Sequence, residues 1–131
     1  MNLTAHSRNR LLATFAQWSV PKDYADPMFN YLVYGYGPGS FFTAVLANDF
    51  ASAVQRSHPA NTIDALKHLV GWMQDTMPAQ ARGSYAAVDE WTGLSKEQRR
   101  AVLENCGLVF TEEDEMMLVL QGEHTQEPIL W

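Results

Sequence analysis

The run Gly35-Tyr36-Gly37-Pro38-Gly39-Ser40 limits how this chain can fold more than any other. Each glycine raises the entropic cost of a regular element, and Pro38 has no N–H to give to one. Neither a helix nor a strand is therefore expected to run through it. Gly35 suits the left-handed position that ends a helix, and Ser40 suits the N-cap of the next. The chain should turn sharply here between two helices.

Helical patterns lie on both sides of this junction. Leu11, Phe15 and Trp18 fall at i, i+4 and i+7 in a helix expected over residues 4–18. Pro21 and Lys22-Asp23 break it. Asp26-Pro27 reads as an N-cap with proline at the first helical position, opening a short aromatic helix over 27–34 that carries Phe29, Tyr31 and Tyr34. Beyond the junction a third helix is expected over 41–55, with Phe42, Leu46, Asp49, Ala53 and then Arg56 on one side, ending at Ser57-His58-Pro59-Ala60. Asn61 opens a fourth, and Asp64 favours its N-terminal dipole. Ile63, Leu66, Val70, Met73 and Met77 form its packing seam before Pro78 stops it. Gly83-Ser84 starts a shorter helix with Tyr85, Val88 and Trp91 on one side. Ser95-Lys96-Glu97-Gln98 is a capping-box pattern, and the helix it opens ends at Gly107.

After Gly107 the pattern changes. Residues 108–110 and 116–120 are apolar runs too short for helices, and the acidic 111–115 segment between them reads as a turn. A small β-hairpin closed by Gly122 is therefore expected. Residues 123–131 read as an irregular tail whose Ile129, Leu130 and Trp131 can dock on the body. The expected fold is mainly α: a bundle of five to six helices with a small C-terminal β-hairpin. It forms one domain over 1–131, in which 95–122 is a helix-plus-hairpin extension.

A chain of 131 residues with 47% hydrophobic side chains can bury one sizeable core. Charged residues make up only 18%, against about 25% in an average globular chain, so part of the surface is neutral or apolar and suits a partner or a second copy. The net charge is −6, and the nine Lys and Arg are scattered, the nearest to a cluster being Arg8 with Arg10 or Arg99 with Arg100. Direct binding to duplex nucleic acid is thus not expected, because it depends on cations that neutralise phosphates. The single cysteine, Cys106, rules out an internal disulfide and fits a reducing compartment. No signal-peptide or membrane-spanning run is present, so the expected location is cytoplasmic.

No residue pattern points to catalysis. The amides and helix N-terminus at Gly37, Gly39 and Ser40 can hold an anion, and Tyr34 and Tyr36 beside them can stack on a ring. The same residues also serve a simple sharp turn, and the lysine of a phosphate-binding P-loop is missing. Asn48, Asp49 and Arg56 are polar positions in an otherwise apolar helix; they either line a shared pocket or form a solvated edge. His6, His58, His68 and His124 make no metal-ligand spacing with each other or with Cys106, so neither a metal nor any other cofactor is expected. Asp64 and His68, four residues apart, suit a surface hydrogen bond. Cys106 reads as a buried small apolar residue, and Trp72 and Trp91 as core aromatics. The Glu112-to-Glu115 run reads as a solvated turn or a partner-facing acidic patch.

One resemblance covers roughly half the chain. Tyr34-Gly35, Gly37-Pro38-Gly39-Ser40-Phe41, Ala44-Val45-Leu46, Asn48-Asp49, Ala53 and Arg56 are followed by Leu66, Trp72, Pro78, Gly83-Ser84 and Trp91. Together they resemble a family of small proteins of tailed bacteriophages and prophages, whose members typically end soon after the final tryptophan. The resemblance implies a phage accessory role, hence a bacterial host cytoplasm, and brings no catalytic residues. The function expected is non-catalytic binding to a host or phage macromolecule, in counter-defence or host takeover. The alternative is a small-ligand binding protein or enzyme that holds an anionic or nucleotide-like ligand at the Gly37–Ser40 junction with Tyr34, Tyr36, Asn48, Asp49 and Arg56. The expected partner is a protein, a second copy of the chain included.

Overall fold

The computed structural model describes residues 2–3, 5–57, 62–120 and 129–130. The chain is mainly helical, with α1 at Ala5–Gln17, α2 at Ala25–Phe29, α3 at Ser40–Leu46 and α4 at Phe50–Arg56. Then follow α5 at Ile63–Asp75, α6 at Tyr85–Gly93, α7 at Lys96–Asn105 and α8 at Glu112–Leu120. Two short strands, β1 at Asn2–Leu3 and β2 at Ile129–Leu130, pair antiparallel.

One core joins α1 through α7. Phe15 of α1 stands edge-on to Trp72 of α5, with ring centroids 4.7 Å apart. Trp72 and Trp91 are both buried, as their spacing on apolar faces implied. Each indole N–H has a partner: Trp72 donates to Thr14 Oγ1 and Trp91 to the Tyr31 carbonyl. The seam of α5 is Leu66, Leu69, Trp72 and Met73, with Met77 beyond its end. It is rotated from the sequence expectation, which placed Ile63 and Val70 inside. Ile63 is exposed and Val70 half-buried, because Trp72 claims the core side. Trp18, expected on the buried face of α1, is instead half-exposed over Gly71. There its indole N–H donates to Asp75, and a Cβ on Gly71 would lie 2.8 Å from its ring.

Several boundaries differ from the sequence reading. Asp26 is not an N-cap: a 3-10 turn at Lys22–Tyr24 runs directly into α2, so Asp26 already lies in the first helical turn. Thr62 caps α5, accepting from the Ala65 N–H, whereas Asn61 lies outside the described residues. The third helix is two helices. Asn48 takes the left-handed conformation at φ 63°, and Asp49 caps α4 by accepting from the Ser52 N–H. Asn and Asp do these jobs at helix ends for the same reason they weaken helix interiors: short polar side chains that bond the local backbone. Ser40 is the first residue of α3 and does not cap it; the N-cap is Gly39, at φ 91°.

The expected C-terminal hairpin is a helix instead. Thr111 Oγ1 accepts from the Asp114 N–H, a capping bond, and the acidic run forms the first turn of α8, where the helix dipole favours negative charge. Gly122, assigned to close that hairpin, lies outside the described residues, as do 123–128 and Trp131. Cys106, expected buried, is exposed at the C-cap of α7.

Candidate functional site

The junction begins at the end of α2, which widens into a π-helical turn over Asn30–Tyr34. Gly35 closes the turn at φ 72°, and the Tyr36 N–H donates back to the Asn30 carbonyl. The remaining carbonyls meet a cation that the sequence did not single out. Arg99, buried in α7, donates Nε to the Val33 carbonyl at 3.1 Å and Nη2 to the Tyr34 carbonyl at 3.2 Å. Its Nη1 donates to the Leu94 carbonyl. Burial lowers the guanidinium's pKa, yet arginine keeps its charge at neutral pH. A positive charge on the last carbonyls of a helix is favourable. The signal for this was present: Arg99 shares a helix face with buried Leu103, four residues on.

Tyr34 and Tyr36 stack, with centroids 5.7 Å apart and planes at 23°. Gly37, Gly39 and Ser40 are exposed, and a Cβ added to either glycine would meet nothing within 4 Å. This end of α3 is open.

The other sequence candidates gather at the opposite end of α3, about 12 Å along the helix at 1.5 Å per residue. Asn48 and Asp49 form the α3–α4 turn. Asp49 Oδ2 accepts from the Tyr85 hydroxyl at 2.7 Å, and Oδ1 accepts from the Ser52 N–H. These bonds, with a smaller attraction from Arg56, hold the Asp49 carboxyl below its ordinary pKa, and the Tyr85 phenol is raised chiefly by the same bond. So Asn48, Asp49 and Arg56 share one place, while Tyr34, Tyr36, Gly37, Gly39 and Ser40 share another.

The α3–α4 turn borders a crevice along α5. Its widest part, about 490 Å³, lies between Phe50, Ile63, Leu66, Lys67, Val70 and Gln74. A recess of about 100 Å³ reaches Asn48, Asp49 and Ala53. A further pocket of about 150 Å³ extends to Met73, Arg82 and Gly83. Val70 lines all three, so they lie side by side as successive parts of a groove along α5. The Gly83 N–H donates to the Leu46 carbonyl at 2.7 Å and ties the chain before α6 to the end of α3. Arg82 and Tyr85 enter the site through that tie. Residues more than 30 positions away in sequence leave no spacing signal for it.

His68 does not pair with Asp64; its Nδ1 lies 3.1 Å from the carbonyl of Ser19, a turn residue at φ 55°. Among the described residues no three His, Cys, Asp or Glu side chains gather to hold a metal, and no helix is long and apolar enough to cross a membrane. Comparison with family models, with curated proteins and with solved structures gives no match. The functional reading therefore rests on the geometry.

Proposed function

We propose that this is a small phage-type accessory protein that acts by non-catalytic binding of a host or phage protein, in counter-defence or host takeover. The phage setting rests on the sequence resemblance, and one observation supports the binding: the α4–α5 groove is apolar, open and flanked by Phe50 at 63% exposure and Ile63 at 56%. Large apolar side chains left uncovered beside a concave surface mark binding sites.

The charges select the occupant. Lys67 and Arg82 line the groove, and the one carboxylate that lines it among the described residues, Asp49, is already bonded to Tyr85 and Ser52. In a protein of net charge −6, this face is locally basic. It fits an apolar segment that carries acidic residues, laid along the groove as a helix or an extended stretch.

Bacterial lysate passed over wild-type protein, Phe50→Asp and Tyr36→Ala tests this by mass spectrometry of what is retained. One partner should be held by the wild type and by Tyr36→Ala and lost with Phe50→Asp. Retention by Phe50→Asp would place the contact elsewhere. Loss with Tyr36→Ala alone would favour the junction and the small-ligand alternative.

A further inference from the structure

The pocket at the Arg82 end of the groove has a chemistry of its own. Arg82 follows the 3-10 turn Ala79–Ala81, in extended backbone just before α6. Its Nε is buried and has no hydrogen-bond partner. Among the described residues the ion pairs are Arg8 with Asp26 and Arg100 with Glu104, so no carboxylate neutralises Arg82. Because Nε is closed to solvent, only the Nη1 and Nη2 end of the half-buried side chain can meet a ligand in the pocket.

The surroundings define what fits. The Asn48 and Gln74 amides line the pocket with Arg82, and Val45, Val70 and Met73 supply an apolar wall. The Gly83 N–H is committed to Leu46 and is not available to a ligand. The volume is about 150 Å³, the size of cavity that accommodates benzene. One lining cation, with the Asp49 carboxylate in the adjoining recess, suits a single negative charge better than a double one.

We infer that this pocket binds a small monocarboxylate with a compact apolar body, its carboxylate on Arg82 and its body against Val45, Val70 and Met73. The Nη1 and Nη2 end of the planar guanidinium can take both carboxylate oxygens, and the two amides can donate to the same oxygens. This inference does not depend on a protein occupying the wider groove.

The test uses benzoate and isovalerate, with benzamide and inorganic phosphate as controls, followed by amide chemical shifts and calorimetry on the full chain. Benzoate or isovalerate should bind saturably and perturb the Asn48, Gln74 and Gly83 amides. Benzamide, with the same body and no charge, should bind about tenfold more weakly or less. Arg82→Gln should lose the carboxylate to the same extent, and Arg82→Lys should fall between, since it keeps the charge without the fork. Arg82 Nε holds no partner and Arg82 is in no ion pair among the described residues, so both variants should keep the wild-type circular dichroism. Equal binding of benzamide and benzoate, retention of benzoate by Arg82→Gln, or perturbations confined to residues 34–40 would each overturn the proposal. Phosphate binding as tightly as benzoate would overturn the monoanion assignment. Carboxylate binding with no captured protein partner would sink the proposed function and leave this pocket standing.

Discussion

Gly35 and Arg99 show how one residue can be fixed by two independent demands. Gly35 sits at φ 72°, where any side chain is strained, and a Cβ there would lie 2.6 Å from Arg99 Nη1. The first demand was legible, because a glycine after an aromatic helix reads as its left-handed terminus. The second was not, since both neighbouring arginines are buried and nothing in Arg99-Arg100 says which one meets the Val33 and Tyr34 carbonyls. The two demands separate experimentally. Gly35→Ala should destabilise the protein by about 2 kcal/mol or more, from the left-handed backbone plus displacement of the guanidinium. In an Arg99→Ala background the same change should cost only about 1 kcal/mol, the backbone part alone. Urea unfolding of the four proteins in that cycle measures the difference, and strict additivity would show that Arg99 moves aside freely.

At the scale of elements, apolar periodicity marked the helices and missed a break and a helix. Phe42, Leu46 and Ala53 keep a helical spacing straight through Asn48-Asp49, so the pattern reads as one helix although the backbone breaks there. Replacing Asn48 tells the two readings apart. Alanine would stabilise an unbroken helix, being the best helix former, but here it must adopt φ 63° and should cost about 1 kcal/mol, while Asn48→Gly should be near neutral. The hairpin misreading has the same origin. Residues 116–120 are too few for a helix only when the preceding acidic residues are assigned to a turn and not to its first turn. The capping box at Ser95 was legible because both of its bonds are local, and both form. Ser95→Ala should cost about 1 kcal/mol. Asp49 adds a pH signature. Its pKa falls on folding, so ionised Asp49 favours the folded state above the unfolded carboxyl value, and that contribution is lost as pH falls through the folded value. Tyr85→Phe removes the largest cause of the shift. The Asp49 carboxyl carbon, titrated by NMR, should then move at higher pH than in the wild type, and an unchanged midpoint would assign the shift to Ser52 and Arg56.

Across the whole molecule, two sets of exposed apolar residues have complementary character. Phe50 and Ile63 flank the locally basic groove, while Met116, Met117 and Leu120 project from α8, beside exposed Glu113 and Asp114. The groove fits an apolar segment bearing acidic residues, and α8 is such a segment. Without its partner, the chain should therefore pair with a second copy at high concentration, each α8 entering the groove of the other. A reciprocal exchange of that kind closes as a two-fold dimer and does not grow into a filament. Light scattering over a range of concentrations should show mass rising from monomer toward dimer, less so at high salt because the charge attraction is screened. Phe50→Asp and the double change Met116→Ser with Met117→Ser alter different surfaces, and each alone should restore the monomer. A dimer that survives the methionine changes but not Phe50→Asp would mean that two grooves face each other. A dimer that survives both would place self-association on neither surface. A strict monomer in the wild type would leave the groove to a different protein and show that nine residues of α8 are too short to compete for it.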